Sequence, residues 1–328
     1  MSKRQQKCIK EIVTALACFL LVLVLNFFLP RLLSGDPIGY LTGMDETAMS
    51  ESEYLYYYHA LHLDEPIGNQ FLYYLKSLFD GTLGYSYVKD QSVASLLFRA
   101  LPVSLELMLP ATIISLFLGL VWGLKAGYLN GSKMERGSSF SLLVLNSFPS
   151  FALGLILLIC FSFALPLFPY SGLESGAYPQ GSFFNFLDHL YHLFLPTLTL
   201  VLATLPSRYL LMKNLAKEYR NHPSVRYAES MGLSLIRVRY SYVLRNVMTP
   251  YLSSASLAIG ACFAGSAVIE NVFSLKGVGS LINEAIHTLD YPLLQGVLFF
   301  ATTCVASVVV LFDVAILLLS GRRGSDEA

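Results

Sequence analysis

Apolar residues in this chain gather into long runs, near 12–30, 103–124, 139–165, 191–212, 250–269 and 297–319. Each run approaches the ~20 residues needed to cross ~30 Å of hydrocarbon. The pattern predicts an all-α polytopic membrane protein with six spanning helices. Pro110 and Pro206 fall inside the second and fourth runs, where a membrane helix tolerates them if neighbours satisfy the freed backbone groups. The first run is long for a signal-peptide core, and no small-residue cleavage site follows it. A retained first span is expected.

Between the fourth and fifth runs lies a long polar interval, 213–246. It holds seven basic residues (Lys213, Lys217, Arg220, Arg226, Arg237, Arg239, Arg245) and two acidic ones (Glu218, Glu229). Asn221-His222-Pro223 has the form of a helix start, since a proline in the first turn sacrifices no needed donor. Gly232 can take the left-handed conformation that ends a helix, and Ser234 can cap the next. Two short helices joined by a glycine turn are therefore expected. Ser224, Ala228 and Gly232 recur every four residues, which predicts a small-residue stripe open to a partner's backbone. A basic loop held inside by its charge alone explains the same residues.

Composition agrees with a membrane location. The 328 residues are 55% hydrophobic and only 13% charged, whereas a soluble domain carries about 25% charged residues. Formal net charge is zero, so orientation must come from how the charge is distributed. With the N-terminus inside, cytoplasmic segments hold 16 Lys and Arg and external segments 5. That bias predicts cytoplasmic termini and a cytoplasmic 213–246. The external segment 31–99 carries nine acidic residues and a run of aromatics including Tyr54, Tyr56, Tyr57, Tyr58, Tyr73 and Tyr74. Short helices along the outer membrane surface are expected there, with a turn at Asp80-Gly-Thr-Leu-Gly84. Cys8, Cys18, Cys160, Cys262 and Cys304 lie in or beside apolar runs without paired spacing. They read as packing residues, not as a disulfide framework or metal site.

The sequence offers no catalytic constellation. Lys76-Ser77 lacks the glycine-rich lead of a phosphate loop, and neither a His-Glu-x-x-His nor a Gly-x-Ser-x-Gly pattern occurs. ATP hydrolysis by this chain is not expected. His59-x2-His62 near Asp64 and Asp188-His189-x2-His192 each place two imidazoles on one helical face. Metal binding is conceivable there, but neither supplies a closed ligand set, so no metal site is assigned and interfacial polar residues beside aromatics are the preferred reading. Glu106, Arg208 and Asp313 sit at or within apolar runs, where a charge is expensive and usually faces protein or water. Glu106 and Asp313 are candidates to line a pathway, and Asp313 is equally a candidate for pairing with a cation on a neighbouring helix. Arg208 can snorkel to the inner headgroups.

With these features in place, the chain resembles the membrane subunit of a binding-protein-dependent ABC importer, in the dipeptide/oligopeptide/nickel branch. The resemblance runs nearly end to end. Arg226 to Gly232, followed at eighteen residues by Pro250 within Leu244-Arg245-Asn246-x3-Pro250, is similar to that family's "EAA" loop, which docks on the ATPase subunit. Gly35-Asp-Pro37, Asp64-x-Pro66, Asp80-Gly-Thr-Leu-Gly84, Leu101-Pro-Val-Ser-Leu-Glu106, Phe148-Pro-Ser-Phe151, Glu270-x2-Phe273, Gly277-x-Gly279, Asp290-Tyr-Pro292 and Gln295-Gly296 follow in the family's order. The chain departs from the family at Ser224, where a tyrosine is usual, and at Tyr227-Ala228, where threonine-alanine is usual. It also lacks the basic residues usual near Glu229 and Met231.

The resemblance implies a type I importer permease fold with both termini cytoplasmic, in a bacterial or archaeal cytoplasmic membrane. It implies an N-terminal span and external segment over 1–95, a transmembrane domain over 96–320 with a coupling loop at 213–248, and a tail at 321–328. Ser224, Val225, Arg226, Ala228, Glu229, Gly232, Leu233 and Ser234 become the expected ATPase-docking residues. Expected partners are ABC ATPase subunits, which bind the ATP and Mg, a second related permease, an external solute-binding protein and the lipid membrane, with no nucleic acid. The expected cargo is di- or oligopeptides. A nickel or metal-chelate importer is the alternative within the family, and an ion-coupled secondary transporter the alternative outside it, although the chain offers few midplane ionisable residues for a coupling ion.

Overall fold

A computed structural model describes residues 17, 19–32, 38–39 and 50–321, the side chains of 256–259, 261–265 and 313–321 excepted. Gly35-Asp-Pro37, the Asp313 side chain and the basic residues at both ends lie outside that description.

The described chain is mostly helical because its apolar runs must satisfy their backbone internally. An apolar helix, α1 (Phe19–Leu32), ends in a 3₁₀ turn at Pro30–Leu32. Two short helices follow, α2 (Glu51–Ala60) and α3 (Ile67–Phe79). α2 opens on a capping box in which Ser50 and Glu53 bond reciprocally. A two-residue hairpin, β1 (Tyr85–Ser86) and β2 (Gln91–Ser92), pairs Tyr85 with Ser92. It leads into α4 (Val93–Tyr128), α5 (Lys133–Asn146) and α6 (Ser150–Leu158), the last continuing as a π turn over Ile159–Ala164. Then come α7 (Phe183–Arg220), α8 (Pro223–Ser230) and α9 (Leu235–Arg237). A π turn over Val238–Leu244 runs into α10 (Arg245–Val272), before α11 (Val278–His287) and α12 (Tyr291–Gly321).

Among the described residues three helices are long and apolar enough to cross a membrane: α4, α7 and the Tyr291–Phe312 part of α12. The expected third span, 139–165, is not one straight helix. α5 and the α6 segment to Ala164 meet at a bend of 95°, and as a pair they pass the same test. Pro149 supplies the physical reason, because its ring excludes Phe148 from helical geometry and removes a donor. Both α4, at 36 residues, and α7, at 38, outrun the predicted 103–124 and 191–212. The apolar run marks only the part of a helix that meets lipid; its polar ends carry no such signal.

The chain divides into two compact units, Met1–Pro102 with Ser280–Cys304 and Val103–Gly279 with Val305–Ala328. In the first, Leu23 and Phe27 of α1 pack with Tyr74 of α3, joined by Phe71, Leu75, Leu78 and Phe299. Gly296 lets the chain approach closely, since a Cβ there would lie 2.4 Å from the Leu83 carbonyl.

In the second unit, α4 and α7 meet along a seam of glycines. A Cβ on Gly119 would sit 2.5 Å from the Arg208 Cβ, one on Gly123 2.7 Å from the Tyr209 carbonyl, and one on Gly127 2.3 Å from the Lys213 carbonyl. This is the small-xxx-small pattern that brings membrane helix backbones together. One apolar cluster forms on Leu107, Met108, Leu195, Leu200, Ile269 and Phe273. Another forms where α4, α7 and α10 converge on α8.

Candidate functional site

The interval 213–246 is built upward from the end of α7. Pro223 occupies the first turn of α8, and the His222 side chain caps it, its ring nitrogen accepting from the Ser224 amide at 3.4 Å and lying 2.8 Å from the Ser224 hydroxyl. The His222 ring also stacks on Tyr219 at 4.7 Å, tying the cap to the last turn of α7. At the other end Gly232 adopts φ +75°. Its amide donates to the Glu229 carbonyl at 3.0 Å, and the Leu233 amide to the Ala228 carbonyl at 3.3 Å. That pair of bonds is a Schellman closure, which needs a residue that adopts left-handed geometry freely. Ser234 then caps α9, accepting from the Arg237 amide at 3.4 Å.

α8 stands on a buried base. Val225 and Ala228 are fully buried against Leu124 and Tyr128 of α4, Met212 and Ala216 of α7, and Val247 and Tyr251 of α10. The stripe of Ser224, Ala228 and Gly232 is therefore open only in part: Ala228 is fully buried, Ser224 is half-buried, and Gly232 is exposed with nothing within 4 Å of an added Cβ. Tyr128 donates to Glu229 at 2.6 Å while the Arg220 and Arg239 guanidinium groups lie 5.3 and 5.2 Å from its ring. Lys213 turns inward as well. It pairs with Glu135 of α5, bonds Ser139 at 2.7 Å, and leaves only 15% of its side chain exposed. The surface that remains is apolar as much as basic. Tyr227 is 67% exposed, Met231 62%, Leu235 57% and Ile236 68%, beside exposed Arg226 and Ser234. The second helix of the pair is not short either, because α9 passes through a π turn into α10.

A second arrangement in the same unit gathers motifs that are far apart in sequence. Glu270, fully buried, accepts from the Ser104 hydroxyl at 2.6 Å, and Ser104 in turn accepts from the Val278 amide at 2.8 Å. Gly277 and Gly279 clear this corner, since a Cβ on either would lie within 3.0 Å of the Glu270 carboxylate. In the first unit, Asp290 accepts from Ser86 and from the Leu293 amide, capping α12. Burial pushes the Asp290 carboxyl above the usual range, the Ser86 and Leu293 hydrogen bonds pulling the other way.

Comparison with known proteins places the chain in one family. The family described as "Binding-protein-dependent transport system inner membrane component" matches residues 96–324. The chain belongs to this family. It is 33% identical to the di/tripeptide transport system permease DppB of Pseudomonas aeruginosa, over 86% of this chain and 88% of that one. It is 29% identical to the dipeptide transport system permease DppB of Bacillus subtilis over 96% of both chains, and 28% identical to that organism's oligopeptide transport system permease AppB over 92% of both. As an inner-membrane component of a binding-protein-dependent system, the chain is a multi-pass transport subunit and not an enzyme.

The remaining sequence candidates are dispersed. Glu106 lies 2.8 Å from the His189 ring nitrogen. His192 meets the Asp188 carbonyl at 2.8 Å and its carboxylate at 3.5 Å. His59 bonds Asp64 at 2.8 Å, whereas His62 leaves the helix at φ +54° and stacks on Tyr73. The expected shared face of His59 and His62 thus does not form: α2 ends at Ala60, two residues before His62. Among the described residues no three metal-ligating side chains converge. Sequence reasoning passed over Tyr128, the Glu135–Lys213 pair and the glycine seam. Only the last left a signal, the four-residue recurrence Gly119-x3-Gly123-x3-Gly127.

Proposed function

We propose that this permease moves di- and oligopeptides inward in an ATP-driven importer, and that the face of α8 and α9 is its contact with the ATPase. The observation that supports the docking face is a rigid helix pair seated on α4, α7 and α10 while presenting Tyr227, Met231, Leu235 and Ile236 outward. A lever needs both properties. The base transmits displacement because packed cores deform little, and exposed apolar anchors beside basic residues suit a protein partner. Of the expected docking residues, Arg226, Ser234 and the flank of Gly232 belong to the contact face. Val225, Ala228 and Leu233 hold the helix pair in place, and Glu229 does so through Tyr128.

The peptide cargo is supported by relatives that match nearly the full length and are named for di/tripeptide, dipeptide and oligopeptide transport. The six apolar runs support six spans, and the charge bias of 16 to 5 supports a cytoplasmic side for 213–246 and both termini. A second, related permease would complete the pathway, and an external binding protein would deliver the peptide. Glu106 remains a candidate pathway residue through its exposed carboxylate. The histidines give no support to a metal-importer reading, because each has a separate partner.

Purification with the partner subunits tests the docking face. Met231→Asp combined with Ile236→Asp is expected to reduce ATPase co-isolation at least about tenfold, as loss of central anchors does, with membrane insertion intact. Full ATPase retention by that double variant would reject the docking face. In reconstituted vesicles, ATP-dependent uptake of a labelled dipeptide is expected; transport of another solute class in its place would reject the cargo.

A further inference from the structure

The first unit contains a cleft of about 290 Å³, at the lower end of the roughly 300–1,000 Å³ typical of small-molecule sites. Arg31, at the end of α1, lines it. Its two terminal nitrogens are aimed by the Phe27 carbonyl at 2.8 Å and the Gln70 side-chain oxygen at 2.7 Å, and the guanidinium lies 3.8 Å over the Phe27 ring. Two bonds leave donors over on a group that carries five. Among the described residues no carboxylate lies within ion-pair distance of it.

Tyr74 also lines the cleft. It is 6% exposed, and its buried hydroxyl has no hydrogen-bond partner among the described residues. A buried phenol without a partner is unfavourable unless something else supplies an acceptor. Burial pushes its pKa up to about 12, so it remains a donor. The walls are aromatic: His62 stacks on Tyr73 at 4.0 Å, and Tyr85 meets Tyr87 edge-on at 5.3 Å. Asp80 and Lys76 add charge of both signs.

We propose that this cleft receives the free carboxylate end of a short peptide, held by Arg31 and Tyr74 with its apolar side chain against the tyrosine rings. The proposal rests on the peptide-transport reading and extends it to a site on the permease itself. A planar carboxylate matches the guanidinium fork. The presence of Asp80 beside Lys76 suits a zwitterion better than a phosphate dianion. The volume admits a short peptide or the end of a longer one.

The test uses the complete transporter in nanodiscs without its binding protein, titrated calorimetrically with alanyl-phenylalanine and with its C-terminal amide. The acid is expected to bind, with the amide at least about tenfold weaker, as loss of a charge-assisted contact requires. Arg31→Gln is expected to remove binding. Tyr74→Phe, which deletes only the partnerless hydroxyl, is expected to weaken it about three- to tenfold at unchanged thermal stability. Equal binding of acid and amide, no binding of the acid, or wild-type affinity in Tyr74→Phe would each overturn the proposal. So would native mass spectrometry showing a phospholipid retained by wild type, released by Arg31→Gln and competing with the peptide. Uptake of the same dipeptide with the binding protein present separates the two levels: persistent uptake with an empty cleft removes this inference alone, and absent uptake removes the peptide reading.

Discussion

Glycine does opposite work in the turn at Gly232 and in the seam between α4 and α7. At Gly232 the backbone is left-handed at φ +75°, and a Cβ would meet nothing within 4 Å. In the seam the backbone is ordinary helix, and a Cβ would drive into the facing helix at 2.3–2.8 Å. The turn needs glycine for its conformation, the seam for its absent volume. A substitution in the turn should therefore alter how a segment is aimed, and one in the seam whether the helices associate at all.

The largest effect is expected at the seam. Gly123→Leu must displace the Tyr209 carbonyl and the Met212 side chain; overpacking typically costs about 1–3 kcal/mol and more where, as here, backbone stands in the way, which in a membrane helix pair prevents association. The variant should fail to accumulate in the membrane fraction by immunoblot; wild-type accumulation would show that the seam is not tight. Next comes Lys213→Met, which leaves Glu135 as a charge 9% exposed without its cation. Loss of one partner from a buried pair costs about 3–5 kcal/mol, read as a lower detergent-solubilised Tm, and a neutral result would mean that water reaches Glu135.

Gly232→Ala should cost only about 1–2 kcal/mol, since an L-residue held in left-handed geometry carries that penalty. Its signature is weaker ATPase association at near-normal abundance, so a collapse in abundance would erase the contrast with the seam. The smallest effect is expected at Asp290. Its raised pKa contributes stability that is fully present below the ordinary Asp value of about 3.9 and is lost as pH rises through the raised folded value. Wild-type Tm should climb on acidification through that window, and Asp290→Asn, which keeps the acceptor for Leu293, should flatten the slope. An unchanged slope would mean that Asp290 titrates as if exposed.

Much of the segment 213–246 was legible in the sequence. The helix start at Asn221-His222-Pro223, the stop at Gly232 and the cap at Ser234 all appear where expected, because capping and left-handed turns are decided by a few neighbouring residues. What that segment exposes was not legible. Spacing by four puts Ser224, Ala228 and Gly232 on one side of a helix, but whether that side meets water or α4 depends on Leu124 and Tyr128, a hundred residues away. The bend at Pro149 was overlooked for a different reason: a hydropathy run counts apolar residues and is blind to the direction of the axis.

Local chemistry, then, determined what this chain is made of: membrane-length helices from long apolar runs, and turns from glycine and proline. Ordered short motifs also identified the family. Tertiary structure alone decided which of those pieces meet. It brought Ser104 to Glu270, Ser86 to Asp290, and Lys213 inward to Glu135. Among the described residues it also left Arg31 with unused donors and Tyr74 with no acceptor in one aromatic cleft. The physical reason is that burial and pairing are properties of a place in space, filled by residues whose separation along the chain places no limit on their approach.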